Sequence, residues 1–535
     1  MTLPTTLQPI WIAGRWQAEP APEGELQSYQ PKTGEALAPR FPISGDATLQ
    51  AALKAGRGAA EALRSVAPDR IAALLERCAA NLERDRDALV DSAHLETGLP
   101  KEPRLRNVEL PRTVDQLRQA ASAARSRSFC DPQIDTKNNI RSLRGPLGGP
   151  VAVFGPNNFP FAFNALMGGD FAAALAAGNP VIAKAHPGHL STTLLLAQAA
   201  SEALLALDLP PATIQLIYAL PPELGLDLVA HPSLGASAFT GSRRAGLQLK
   251  AAADRAGKPI YLELSAINPV FVLPGALAER GPAIARELAT SCTLGAGQFC
   301  TKPGVSVLSA GSAADAFCAE LETLLRAAPA GTLLSPSGAE QIQASLGQWT
   351  SHGAHVRVGG KPAGTPGFGF EPTLCSVSAE QFLAHSHALQ TEAFGPVHLL
   401  ILAESGQQME AVAARLEGSL TGCIYSHTQG QDDAAYDRLA ATVRPRVGRL
   451  LNDKMPTGVA VSAAMNHGGP FPATGHPGFS SVGLPGSITR FTALHCYDQV
   501  PERRLPAELR DANPSSLWRR IDGEWSRGDV SPRVS

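Results

Sequence analysis

The sequence predicts an α/β protein built as two lobes around parallel sheets, with a cleft between them. Three observations carry this. From Val151 onward, short apolar β-branched runs alternate with helical stretches, and a second alternating set begins at Val270. Alternation of that kind implies parallel strands covered by helices, since a parallel crossover needs a helix-length connection. The third is composition: 535 residues, 44% hydrophobic and only 18% charged. Such a chain fills a large core and as a prior makes two or three domains. Aromatics are only 5%, so Ala, Leu and Val must do the packing.

The elements follow in order. Ala47–Ser65, Asp69–Gly98 and Val108–Ser126 carry apolar residues at three- and four-residue spacing and read as helices, punctuated by Pro68 and Pro100. Asp131–Asn139 is polar and turn-like. In the first alternating set, strands are expected at Val151–Phe154, Val181–Ala183, Gln215–Tyr218, Ala236–Thr240 and Ile260–Leu264. Helices between them fall at Gly168–Ala177, Leu190–Leu207, Glu223–Ala230 and Arg243–Ala256. The second set places strands at Val270–Leu273, Val305–Ser309, His355–Val358, His398–Leu402 and Cys423–Ser426. Its helices are Pro282–Leu294, Ala313–Ala328, Ala339–His352, Gln408–Glu417 and Asp432–Ala441. Asn452 to Pro485 is a long Gly/Pro-rich loop, a kind of segment that is often functional. The tail after Pro501 reads as a loosely packed extension, with Trp518 and Trp525 as residues that could dock it.

Several classes are excluded. A net charge of −2 lacks the basic excess of a nucleic-acid binder, so no nucleic-acid partner is expected. With 50 Gly and 44 Pro, about 18% of the chain, the sequence is turn-rich but not low-complexity. The longest apolar run, Phe171–Ala183, is too short to span a bilayer, and no signal peptide precedes Arg15, so neither membrane nor export is expected. The eight cysteines show no CxxC and no Cys/His zinc spacing, so no metal is expected. Free thiols in a reducing, cytoplasmic setting are the default, and most are expected to be inert core residues.

Four segments could carry chemistry. In Gly295-Ala296-Gly297-Gln298-Phe299-Cys300 a helix ends in glycines and a thiol follows on an irregular turn, where a ligand can reach it. Alone, a buried structural cysteine is the simpler reading, and Cys292 fits that reading better still. Glu263 ends the apolar run Ile260–Leu264. Buried there, its pKa would rise, as suits a general base; an edge-strand carboxylate facing water is equally consistent. Phe239-Thr240-Gly241-Ser242 leads a strand into a helix, and Gly246 completes a GxxxxG turn whose N–H groups could hold a pyrophosphate. It is neither GxGxxG nor a P-loop and is weak alone. Gly155-Pro156-Asn157-Asn158-Phe159-Pro160 follows the first strand of the alternating region, where ligands of such sheets sit, and an Asn amide there could donate to an oxyanion. On residue type alone an ordinary Asn-Pro turn is the simpler reading.

Taken together and in order, these segments resemble the aldehyde dehydrogenase superfamily over nearly the whole chain. The family's Asn-Phe-Pro loop is matched by Asn158–Pro160, its strand-end lysine by Lys184 and its Phe-Thr-Gly-Ser turn by Phe239–Ser242. Its Leu-Glu-Leu base is matched by Leu262–Leu264, its Gly-Gln-x-Cys nucleophile by Gly297–Cys300 and its Glu-x-Phe-Gly-Pro loop by Glu392–Pro396. Ser265–Pro269, Gln298–Gly304 and His467–Thr474 are similar to the branch of 2,5-dioxopentanoate dehydrogenases and an NADP-dependent fatty aldehyde dehydrogenase.

The resemblance implies a Rossmann-type cofactor domain (1–126 and 145–268), a catalytic domain (269–486), an oligomerisation arm (127–144 and 487–501) and an extension (502–535). It implies Cys300 as nucleophile, Glu263 as hydrolytic base and Asn158 as oxyanion donor. Lys184 and Glu392 would hold ribose hydroxyls, Phe394 would flank the nicotinamide, and Gly241, Ser242 and Gly246 would meet the pyrophosphate. The branch keeps a histidine near the active site, matched by His467, as a proton relay or substrate contact; a loop histidine bonded to backbone is the alternative. Many NAD-preferring relatives carry Glu where this chain has Pro187, which favours NADP narrowly over NAD. The expected substrate is a small aldehyde, foremost an oxo-acid semialdehyde, with a fatty aldehyde as alternative. A CoA-acylating relative is disfavoured because Glu263 is present. A non-catalytic protein on the same fold is disfavoured by Cys300, Glu263 and Asn158 together. At least a homodimer is expected.

Overall fold

The computed structural model describes residues 7–530; the extreme ends of the expected first and last segments, 1–6 and 531–535, lie outside the described residues. Two seven-stranded sheets form the two lobes. The first runs in the order Ile260–Glu263, Ala236–Thr240, Val151–Phe154, Val181–Lys184, Ile214–Ile217, Ile10–Ile12, Arg15–Gln17. The first five are mutually parallel and the last two antiparallel. Helices cover both faces, so the inner strands are buried along nearly their whole length rather than alternately, and only Lys184 and Gln215 in them are not apolar.

Register aligns the carboxyl ends of these strands. Lys184 lies beside Phe154, Phe154 beside Phe239, and Phe239 beside Leu262, with Thr240 beside Glu263. The strand-end lysine, the Asn158 loop, the Gly241 turn and Glu263 therefore share one edge of one sheet, the edge where ligands of doubly wound sheets bind.

The second sheet runs His355–Val358, Thr373–Ser378, Val397–Ala403, Val305–Ser309, Val270–Val272, Ser419–Tyr425, Val447–Asn452. Only His355–Val358 is antiparallel to its neighbour. Apolar clusters lie against this sheet, one including Phe271, Leu399 and Ile424, the other Val270, Leu400 and Tyr425.

Several expectations need correction. The stretch Asp69–Gly98 is two helices, Pro68–Arg84 and Arg86–Thr97, broken where Asp85 leaves helical geometry. The helix expected from Pro282 begins at Pro274 instead; the chain kinks at Arg280, which lets a proline sit inside it. Its first N–H groups, on Gly275 and Ala276, are capped by Asp432 at 3.0 and 2.9 Å, a partner supplied by a distant segment. Asp131–Asn139 contains a strand, Gln133–Asp135.

The extension is not loosely packed. Arg519–Ile521 and Glu524–Ser526 add two strands to the arm, giving the order Thr492–Asp498, Ile140–Pro146, Gln133–Asp135, Arg519–Ile521, Glu524–Ser526. Leu505 and Leu509 pack on Ile134 and Leu143 beneath that sheet. The fully buried Arg519 donates to the Asp511 and Gly528 carbonyls at 3.1 and 2.8 Å. Trp518 and Trp525, the expected anchors, are instead more than half exposed. Nor are all seven remaining cysteines core residues: six are buried, whereas Cys496 is exposed on the arm strand Thr492–Asp498.

Candidate active site

Glu263 ends the edge strand of the first sheet, yet it is 2% exposed. The long loop after Val447–Asn452 returns from the second lobe and is stitched along this edge: Leu264 N–H donates to Ala473 O at 2.8 Å and Gly475 N–H to Leu262 O at 3.2 Å. Within the returning loop, the glycines of the His467-Gly468-Gly469 stretch let the backbone pack closely on itself and on Ser419 of the second sheet. A Cβ on Gly468 would lie 1.9 Å from Phe479 O.

The seam brings three side chains into contact. His467, also 2% exposed, has Nε2 3.0 Å from Glu263 Oε1 and 3.5 Å from Cys300 Sγ. The Ser481 hydroxyl donates to the other carboxylate oxygen, Oε2, at 3.0 Å, and the His467 N–H donates to Ser480 Oγ at 3.0 Å. Donor atoms of Glu263, Cys300 and His467 all lie within 4.8 Å of one another.

Electrostatics differ from the expectation for Glu263. Burial alone would raise its pKa, but the His467 imidazole and hydrogen bonds from His467, Ser481 and Cys300 together hold it below the usual carboxylate value. It is an ionised acceptor, not a protonated acid. The Cys300 thiol moves the other way: burial first, then the adjacent Glu263 charge, push its pKa well up. The resting sulfur is therefore a neutral thiol whose proton has acceptors within reach.

Cys300 is half-buried at the end of the turn that begins with Gly295, Ala296 and Gly297, all three at positive φ (57°, 56° and 66°). A Cβ on Gly297 would lie 2.1 Å from Gly395 O, so glycine there lets the cysteine turn close on the Glu392–Pro396 loop. Asn158, 6% exposed, donates from Nδ2 to the Gln298 carbonyl at 2.9 Å. This ties the first-lobe loop to the cysteine turn and leaves a second amide proton for another acceptor. Asn268 fixes the turn from the other side, donating to Cys300 O at 2.8 Å and Lys302 O at 3.0 Å.

The expected cofactor residues of the first lobe sit apart from this trio but along the same edge, whereas Glu392 and Phe394 lie on the second-lobe loop before Val397–Ala403. Ser242 caps the helix Arg243–Arg255 by accepting from Ala245 N–H at 3.4 Å, and Gly241 N–H donates to Glu263 O at 3.0 Å. A Cβ on Gly246 would fall 2.3 Å from Leu264 Cδ2. The N–H groups of Gly241, Ala245 and Gly246 are thus spent within the protein, and the turn's fit to a phosphate-bearing cofactor rests on its small side-chain bulk and on the N–H groups of Ser242, Arg243 and Arg244 at the helix start. Burial pulls the Lys184 pKa down to about 8. Glu392 moves up through burial, opposed by hydrogen bonds from Ser265 and the Ala266 N–H. Phe394 is half-buried on the same loop as Glu392.

Sequence reasoning missed Ser481, Asn268 and three arginines, Arg104, Arg112 and Arg449, which border an aromatic wall. Phe159 lies 5.2 Å from Phe163 and 5.3 Å from Phe299, and Phe163 lies 5.9 Å from the His467 ring. Asn268 stood inside a motif already singled out, Ser265–Pro269. The arginines come from other parts of the chain, with no local pattern to mark them.

Fold and cleft together define a two-lobed α/β enzyme with a cysteine and a carboxylate meeting beyond the strand ends of a nucleotide-type sheet. The chain belongs to the aldehyde dehydrogenase family: the family model "Aldehyde dehydrogenase family" matches residues 16–469. "Alpha-ketoglutaric semialdehyde dehydrogenase 2" of Azospirillum brasilense is 37% identical over 94% of this chain and 96% of its own length. "Alpha-ketoglutaric semialdehyde dehydrogenase" of Acinetobacter baylyi is 35% identical over 84% and 86%. In fold the chain is similar to a mutant of aldehyde dehydrogenase C from Pseudomonas syringae solved with NAD+ and octanal, at a TM-score of 0.78 and 22% identity over 93% of this chain and 98% of that one. It is also similar to 3,6-anhydro-L-galactose dehydrogenase solved with NAP, at a TM-score of 0.79 and 20% identity over 92% and 99%. Among the described residues no helix is long and apolar enough to cross a membrane.

Proposed function

We propose that this aldehyde dehydrogenase oxidises an acid semialdehyde of the 2,5-dioxopentanoate type to the corresponding carboxylate, with NADP or NAD as oxidant and the cytoplasm as its location. The contact of Cys300, His467 and Glu263 carries the reading of the chemistry. The two relatives named for alpha-ketoglutaric semialdehyde support the substrate class. Pro187, exposed where a carboxylate would repel a 2′-phosphate, supports NADP as well as NAD.

In this reading Cys300 Sγ gives up its proton to His467 Nε2, 3.5 Å away, and attacks the aldehyde carbon. A thiol near its ordinary pKa of about 8.5 is only a few per cent ionised at neutral pH, and the site raises that pKa, so the acceptor must be adjacent. The free Asn158 amide proton and the Cys300 N–H stabilise the thiohemiacetal oxyanion; a donor in such a position contributes roughly 2.7–4 kcal/mol. The nicotinamide, when bound, supplies the hydride acceptor for oxidation to the thioester. Lys184, Glu392, Phe394, Gly241, Ser242 and Gly246 are the residues that would hold that cofactor. Glu263, kept ionised, then takes a proton from the water that hydrolyses the thioester.

The first test is kcat/KM for 2,5-dioxopentanoate, short alkanals and long alkanals, each with NADP and with NAD. Preference for the oxo-acid is expected. Preference for long alkanals would replace the substrate reading, and absence of cofactor reduction across the panel would refute the enzyme reading. For the relay, His467→Ala is expected to lower turnover more than tenfold with an unchanged circular dichroism spectrum. Unchanged turnover would leave His467 as a structural loop residue.

The same reading divides the chain into cofactor-binding segments 1–126 and 145–268, a catalytic segment 269–486, an arm of 127–144 with 487–501, and the extension from 502. Thr492–Asp498 is an edge strand of the arm sheet with Leu494 67% exposed on it. An open apolar edge of this kind pairs readily with another chain, which supports a homodimer or larger oligomer.

A further inference from the structure

We infer that Arg112 binds the carboxylate of the acid semialdehyde, at the end of the substrate opposite the reacting aldehyde. The inference rests on the acid-semialdehyde reading above and supplies the cation that such a substrate requires. Arg112 lies in the first turn of the helix Leu110–Ser126, and its guanidinium covers the Phe163 ring, 5.5 Å from the centroid. Phe163 in turn packs on His467, so one aromatic ring separates this cation from the imidazole that touches Cys300.

What sets Arg112 apart is an uncommitted nitrogen. Its Nε donates to Gln116 Oε1 at 3.2 Å and its Nη1 to Val459 O at 2.7 Å. These bonds fix the plane of the guanidinium. Its Nη2 is buried with no hydrogen-bond partner, and no carboxylate among the described residues pairs with it. A buried, unpaired donor on a fixed cation is costly unless an anion completes it.

The neighbouring cations are committed elsewhere. Arg104 is paired with Glu109 and donates to Asn158 O at 3.1 Å; only its Nε lacks an acceptor. Lys302 Nζ donates to Ala393 O and Val397 O at 3.1 and 2.6 Å. Arg449 Nη2 donates to Pro456 O and Gly458 O, both at 3.1 Å, while its Nη1 faces only the Met465 sulfur at 4.0 Å. Arg449 is thus a weaker second cation on the same wall.

The surroundings agree with this placement. Phe159, Phe163, Phe299 and Val482 form an apolar cluster between these arginines and the catalytic trio. A short substrate chain fits such a wall, with polar chemistry needed only at its two ends. Burial pulls the Arg112 pKa down, opposed by the negative charges of Glu109 and Glu263.

The test compares an acid semialdehyde with pentanal, a neutral aldehyde of similar length, in wild type and in Arg112→Met. The ratio of kcat/KM between the two aldehydes is expected to fall at least thirtyfold in the variant, mainly through KM for the acid. Arg112→Lys, which keeps the charge but loses the planar fork, should recover part of the ratio. Glutarate, a dicarboxylate without an aldehyde, should inhibit wild type competitively and Arg112→Met far less. An unchanged ratio in Arg112→Met, or equal losses on both aldehydes, would overturn the assignment while leaving the substrate reading intact. A wild type that does not favour acid semialdehydes over pentanal would overturn both.

Discussion

Cys300→Ala is expected to lower turnover by about 10⁴-fold or more while the protein still binds the reduced nicotinamide cofactor and unfolds at the wild-type temperature. The size follows from the role: without Sγ no thiohemiacetal forms, and none of the buried thiols can replace it. The substitution removes one atom from a half-buried side chain, so packing should barely change. Cys496→Ser is the matching control, since Cys496 is exposed on the arm, outside the machinery described for the cleft. Stopped-flow and steady-state assays on both variants decide the matter. Residual turnover within tenfold of wild type in Cys300→Ala would move the nucleophile elsewhere.

Glu263→Gln is expected to separate the two halves of the reaction. Glutamine keeps the shape and can still accept from Ser481, but it cannot take a proton from water. Loss of a general base typically costs about 10²–10⁴-fold in the step it serves. Steady-state turnover should fall by that factor while a burst of reduced cofactor, near one equivalent per site, survives. Mass spectrometry should find the acyl group on the peptide bearing Cys300. A variant with neither burst nor adduct would place the carboxylate before the thioester, as acceptor of the Cys300 proton, and refute its role in hydrolysis.

Most of both lobes was legible from local pattern. The strands Val151–Phe154, Ala236–Thr240 and Val305–Ser309 have the boundaries that their β-branched runs predict. Helices such as Arg243–Arg255 end within a residue of their expected limits. What escaped was decided at long range. Thr373–Ser378 and Val447–Asn452 are strands through pairing in parallel with strands already in place. Arg519–Ile521 is a strand because Gln133–Asp135 lies beside it, although its own sequence is polar and charged.

The site divides in the same way. Cys300, Glu263, Asn158 and Lys184 stand in motifs that read as chemistry. Their environment does not read from the motif: the Glu263 pKa falls rather than rises because His467 and Ser481 arrive from a loop two hundred residues away. The same holds for Arg112, whose importance lies in what fails to pair with it.

The seam between the long loop and the strand Ile260–Glu263 also bears on how the chain acquires its activity. Glu263 and His467 are separated by 204 residues and meet only across backbone bonds between segments of different lobes. Contacts of such separation carry a large entropy of loop closure. The Cys300–His467–Glu263 centre therefore exists only while the long loop is seated on that strand edge, so a perturbation of the seam far from the sulfur disassembles the centre without touching any of its three side chains.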